Sequence, residues 1–251
     1  VSDDVLQDYE AEQSDLYGLL VGLSDGDWRL PTPAVGWDVR DQVSHLADTE
    51  DVAHDTMTDG RRSINVDAAQ YGSAEGFTEA GCDRGRALAP AEVLEWWWQA
   101  AARVRSTMAG LDRSTRVPWG LGMGWQAFVT ARLMEHWAHG LDIRAAVGQP
   151  GVDTDRLRHV AWISTRAVPY ALRVSGVEAP EGHTLRFALE GVGGGSGVWA
   201  FGADDATDVI TGPASQWCRL AVQRIGVDQA PDLRSEGPLA ELALAHARAF
   251  L

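Results

Sequence analysis

Four stretches of helical apolar spacing, each about twenty residues long and set off by glycine- or proline-containing loops, dominate the first 150 residues of the chain. In "VLQDYEAEQSDLYGLLVGL", Val5, Leu6, Tyr9, Leu16, Leu19, Leu20 and Leu23 fall near one stripe, and Ser2 is placed to cap the start. "SDGDWRLPTPAVGW" reads as a loop, after which Asp38 is expected to cap a second helix running to about Met57. Pro90 suits the first turn of a third, "AEVLEWWWQAAARVRSTMAGL". After the loop "DRSTRVPWGLGMG", the fourth covers Trp125 to Val147 and stops at Gly148 and Pro150. Residues 60–89 are polar and glycine-rich without a strong period, and read as a long excursion with room for a short helix. Four such helices point to a helical bundle, although period alone does not separate a bundle from other all-α packings.

The texture changes after Pro150. "DRLRHVAWISTRAVPYALRV" is helical in pattern but interrupted by Pro169. "HTLRFALE" and "VWAFGA" read as strands joined through "GVGGGSG". That glycine run lacks GK[ST] and precedes a strand rather than a helix, so it reads as a hairpin turn and not a phosphate loop. "TDVITGPASQWCRLAVQRIG" reads as strand, corner and amphipathic helix, and "GPLAELALAHARAFL" as a closing helix. The expected class is therefore α+β: a helical domain over 1–150 and a small α+β domain over 151–251.

Composition narrows the functional classes. The net charge of −15 shows no basic face for nucleic acid, and all 21 basic residues are arginine. No apolar run approaches the ~20 residues needed to span a bilayer. The acidic opening "VSDDVLQDYEAEQ" does not resemble a signal peptide, so the chain reads as soluble and cytoplasmic, with no membrane partner. Cys82 and Cys218 form no metal-knuckle spacing and read as reduced, unpaired thiols.

The fourth helix carries the chemistry. Within "ARLMEHWAHGLDIRAAVG", Glu135 and His139 are one turn apart, on a stripe shared with Trp125, Phe128, Arg132 and Asp142. His136 falls on a neighbouring packing stripe and reads as a hydrogen-bonded core histidine. Charged and imidazole groups in so apolar a helix need partners. A Glu–His pair at i, i+4 can give two ligands to one cation, and the second helix offers His45, Glu50 and His54 as further donors. Three protein ligands with an open fourth position describe a catalytic zinc site, and the same donors suit iron or manganese.

"GWDVRDQVSHLADTE", followed some 90 residues later by "LMEHWAHGLDIRAAVG", resembles the DinB-like metalloprotein superfamily, and within it the mycothiol-dependent maleylpyruvate isomerase family. The resemblance implies an N-terminal four-helix bundle holding a divalent metal, usually zinc. It places the ligands at His45, Glu135 and His139. "TDVITGPASQWCRLAVQRIG" resembles the sterol-carrier-like C-terminal domain of that family, which contributes an arginine to the active site. Arg224 is the matching position, and Arg219 lies one or two turns away.

The resemblance further implies mycothiol, a low-molecular-weight thiol, as co-substrate. The expected function is a metal- and thiol-dependent isomerase or S-transferase acting on a small electrophile. Two rivals remain at this level. One is a non-catalytic metal-containing binding or resistance protein. The other is a structural metal site, closed by a fourth protein ligand such as His54.

Overall fold

The computed structural model describes residues 5–120, 122–192 and 197–249. The expected Ser2 cap and the centre of the glycine-rich turn lie outside these. The described residues divide into two compact units, the first ending at Gly151 and the second beginning at Val152.

In the first unit, α1 (Val5–Leu20) buries Tyr9, Gln13, Leu16 and Leu20 at helical spacing. Helix α2 (Val39–Met57) starts where Asp38 accepts from the Asp41 amide at 2.9 Å. Asp41 accepts in turn from the Asp38 amide at 3.2 Å, so the two orphan donors are satisfied reciprocally. Two short helices follow, α3 (Ile64–Gln70) and α4 (Ala74–Arg86), capped by Ser63 and Ser73. They are more ordered than the excursion read from the sequence.

The reason lies in how α4 meets α2. Gly81 and Gly85 let the two backbones approach: a Cβ on Gly85 would stand 1.7 Å from Ser44 Oγ. Arg62 and Arg84 both pair with buried Asp48, and Arg86 grips Asp41 at 2.9 and 3.1 Å. An interface of glycine and ion pairs leaves little apolar period to read.

Helix α5 (Pro90–Gly110) has Pro90 in its first turn. A short antiparallel ribbon, β1 (Arg116–Val117) with β2 (Met123–Gly124), leads into α6 (Trp125–Ala146). Helix α2 packs on α5 and α6, and α1 packs on α6 and α5. Leu16, Leu20, Val43, Leu46, Val93, Trp97 and Ile143 fill the core between them.

The second unit begins with α7 (Leu157–Arg166) and α8 (Val168–Val174), parted at Ala167 because Pro169 fits a first turn and not a helix interior. Strands β3 (Leu185–Glu190), β4 (Val198–Phe201) and β5 (Asp208–Pro213) precede α9 (Ala214–Ala221). Strand β6 (Arg234–Glu236) and α10 (Pro238–Ala245) close the unit. Sheet order is β4-β3-β5-β6, with only β3 and β5 parallel. Helix α9 covers the sheet: the Trp217 ring lies 4.7 Å from that of Phe187, tilted against it, and its Nε1 donates to Ser164 Oγ at 2.9 Å. The fold is α+β. Among the described residues, no helix is long and apolar enough to cross a membrane.

Two glycine substitutions test this packing. Gly85→Ala forces a methyl into Ser44 and is expected to destabilise by about 1–3 kcal/mol. Gly18→Ala, on the exposed side of α1 with nothing within 4 Å of its Cβ, should stabilise by about 0.5–1 kcal/mol. Urea unfolding of both variants reads the two signs.

Candidate metal centre

His45 projects from α2, and Glu135 and His139 from consecutive turns of α6. Their ligand atoms all lie within 4.8 Å of one another. Glu135 Oε2 is 3.6 Å from His45 Nε2 and 3.5 Å from His139 Nε2. The three side chains are only 12–19% exposed, so the donors are screened but reachable. Burial pushes the Glu135 carboxyl up, but the two facing imidazoles and the Arg132 charge outweigh it and hold it well below the usual carboxylate range.

The imidazole of His139 is oriented from behind. Its Nδ1 lies 2.5 Å from Gln42 Oε1, so Nδ1 carries a proton and Nε2 is the nitrogen left to face the cluster, where its lone pair would be free for a cation. Gln42 Nε2 donates to Thr32 Oγ1 at 2.8 Å, and Thr32 donates to the Trp37 carbonyl at 3.0 Å. The Trp37 ring lies 5.2 Å from the His45 ring and 6.1 Å from that of His139, the latter stacked. Sequence reasoning missed Gln42 and Trp37. The spacing of Gln42 and His45 on one helix was the available signal.

The other candidate donors go elsewhere. Glu50 is fully buried and bound by Arg132, whose Nε donates to Oε1 at 2.8 Å. Arg132 Nη2 also donates to Thr49 Oγ1 at 2.8 Å. Burial pushes the Glu50 carboxyl above its ordinary value, against the pull of Arg132. His136 is also fully buried: its Nδ1 donates to the Arg132 carbonyl at 2.8 Å, and its Nε2 accepts from Trp97 Nε1 at 3.1 Å and Gln13 Nε2 at 3.3 Å. Burial, with Arg132 beside it, pushes the His136 imidazole down to about 3, so it is neutral. His54 sits beside Asp55, outside the cluster. Among the described residues the cluster therefore has three donors and no fourth.

The model of the mycothiol maleylpyruvate isomerase N-terminal domain matches residues 9–144, a span that contains all three donors. This chain belongs to that family. Two uncharacterized proteins of Mycobacterium tuberculosis, MT0041 of strain CDC 1551 / Oshkosh and Rv0036c of strain ATCC 25618 / H37Rv, are each 33% identical to it over 244 residues. These alignments cover 97% of this chain and 93% of each relative. Crystal structures of the mycothiol-dependent maleylpyruvate isomerase and of a mutant of it superpose with a TM-score of 0.60 at 17% identity. They cover 95% of both chains, which is a likeness of fold.

The structure places the two second-unit arginines that the sequence singled out, Arg224 and Arg219. Arg219 is held by Asp153 through two bonds of 2.8 and 2.9 Å, which makes it a structural tie. Arg224, just past α9, donates from Nη1 to the Val222 carbonyl at 2.8 Å and is half-buried. Cys82 and Cys218 are both buried. Burial pushes the Cys82 thiol up to about 12 and that of Cys218 well above its ordinary value.

Removing one partner of the Arg132–Glu50 pair tests how firmly α2 and α6 are tied behind the cluster. Arg132→Met leaves Glu50 buried without its cation and is expected to cost about 3–5 kcal/mol. Adding Glu50→Met should restore much of that loss. A double-mutant cycle by urea denaturation measures the coupling, and additive losses would show that the pair is not the tie.

Proposed function

We propose that the chain is a thiol-dependent enzyme of the maleylpyruvate isomerase type, an isomerase or S-transferase, whose metal centre is formed by His45, Glu135 and His139. The observation that carries this reading is the three-donor cluster with an oriented His139 and no fourth protein ligand among the described residues. A structural site would close its coordination with protein; an open one leaves room for a small ligand. Two imidazoles and one carboxylate suit zinc, and zinc is the expected metal.

A divalent cation held there would supply the Lewis acidity that favours the ionised form of a thiol at neutral pH. The chain's own residues do the rest. His45 and His139 would each offer an imidazole nitrogen, and Glu135 a carboxylate oxygen. Trp37 shields the imidazoles from water on one side. The nucleophile comes from outside, because both cysteines are buried and held as thiols; mycothiol is the co-substrate that the family name suggests. Addition of that sulfur to an activated double bond, rotation about the resulting single bond and elimination of the same sulfur interconvert cis and trans and return the thiol. Transfer without elimination gives an S-transferase from the same site. Arg224 is the proposed anchor for the substrate's negative charge.

His45→Ala and His139→Ala are each expected to lower bound divalent metal to well below one per chain, while His136→Ala keeps it. Elemental analysis of the purified variants decides, and full metal in both of the first two, with the fold intact, would sink the assignment.

Turnover of a suitable electrophile should require added low-molecular-weight thiol and should persist in the Cys82→Ser/Cys218→Ser double variant. It should extend below the ~8.5 pKa of a free thiol. Rates with and without thiol across pH are the check, and thiol-independent turnover would contradict the borrowed-thiol mechanism.

A further inference from the structure

The second unit contains a cavity of about 640 Å³ that the metal-centre reading does not use. Its volume lies within the roughly 300–1,000 Å³ typical of small-molecule sites. Trp162 and Leu172 from α7 and α8, Phe187 and Phe201 from the sheet, and Leu239 from α10 form apolar walls. Two basic side chains, His183 and Arg166, share that lining.

The histidine belongs to a built pair. His183 Nδ1 lies 2.7 Å from Oδ1 of Asp208, a side chain only 1% exposed. Asp208 is itself fixed by the first amides of α10, accepting from Leu239 at 2.6 Å and Ala240 at 3.3 Å, and by the Thr207 hydroxyl at 2.7 Å. Gly237, at φ 95°, allows this approach, since a Cβ there would stand 2.5 Å from the Asp208 carboxyl carbon. With Nδ1 committed to Asp208, Nε2 is the nitrogen left for a ligand. Arg166 is exposed, its guanidinium 5.2 Å over the Trp162 ring.

We propose that this cavity binds a small aromatic carboxylate, its ring between the aromatic walls and its carboxylate at His183 and Arg166. An apolar body explains Phe187, Phe201 and Trp162, which offer flat surfaces for a ring. An anionic head suits the two basic side chains of the lining, which stand among the hydroxyls of Thr165 and Thr184: the Arg166 guanidinium donates and carries positive charge, and His183, held through Nδ1, leaves Nε2 for the ligand. The site is made wholly of second-unit residues and stands or falls independently of the metal centre.

The probe is 2-naphthoate, titrated calorimetrically into the full chain after treatment with EDTA, so that no cation at His45, Glu135 and His139 captures the carboxylate. Saturable binding at one site per chain is expected, weakened by about tenfold or more in His183→Ala and in the neutral analogue 2-naphthamide. Arg166→Gln should weaken it several-fold. Asp208 keeps its bonds from Thr207, Leu239 and Ala240 in His183→Ala, so that variant should fold. If its melting temperature nevertheless falls, the exposed Arg166→Gln variant and the amide carry the test. Absence of saturable binding, equal binding of acid and amide, or undiminished binding in the folded variants would each overturn the proposal.

Discussion

The Arg132–Glu50 pair is the interaction on which the His45–Glu135–His139 cluster depends. His45 lies on α2 and the other two donors on α6, so neither helix holds the cluster alone. Arg132, one turn before Glu135, reaches across to Glu50 and Thr49. The Thr49 hydroxyl in turn donates to the His45 carbonyl at 2.9 Å. The pair thus ties the two helices beside the donors they present. The same layer reaches the remaining long helices: His136 accepts from Trp97 of α5 and Gln13 of α1, and Arg105 of α5 donates to Gln13. A sliding of any one helix would leave a buried charge or donor unpaired, which costs far more than shifting apolar contacts. Register along the helices is therefore set by polar geometry, while Leu, Val and Trp contacts supply the bulk of the burial.

Orientation is a separate requirement from proximity. An imidazole can turn either nitrogen toward a cation, and the bond from His139 to Gln42 removes that choice. Gln42 is anchored to Thr32 and, through it, to the Trp37 carbonyl, in the loop that leads into α2. The proline-rich segment between α1 and α2 therefore acts on the cluster from both sides, through Thr32 behind His139 and through the Trp37 ring over the imidazoles. The Asp38–Asp41 capping box fixes where that loop becomes helix, and so fixes the position of Gln42 and His45 along α2.

The helices were legible where amphipathic period and punctuation coincide. Asp38, Pro90 and the Gly148–Pro150 stop mark α2, α5 and α6 to within a residue or two. Helix α4 was hidden because it docks through Gly81, Gly85 and arginine–aspartate pairs, which carry no hydrophobic period. Strand β6, three residues long and largely exposed, gave no alternation to read. In the site, the i, i+4 pair Glu135–His139 was visible as a pattern, but the choice among His45, Glu50 and His54 was not. It depends on which face of α2 meets α6, and spacing within α2 alone does not supply that. Glu50 and Arg132 looked like members of the polar stripe and are instead a buried tie. The His183–Asp208 pair had no local signal at all, since 25 residues and two strands separate its members.

The charge of the donor set bears on what the proposed centre would accept. With a cation bound, two imidazoles ligating through their lone pairs and one ionised carboxylate would carry a single negative charge. A divalent cation among them would retain a net positive charge of one, while the nearby Arg132 guanidinium is balanced by Glu50. An anionic sulfur would be the better match to that environment than a neutral thiol, because a bound cation is the largest local charge and favours the deprotonated form. A second carboxylate in place of either histidine would cancel the excess charge and remove the preference. A cation held by two histidines and one glutamate would thus favour a thiolate partner electrostatically, in a chain whose own two thiols are buried.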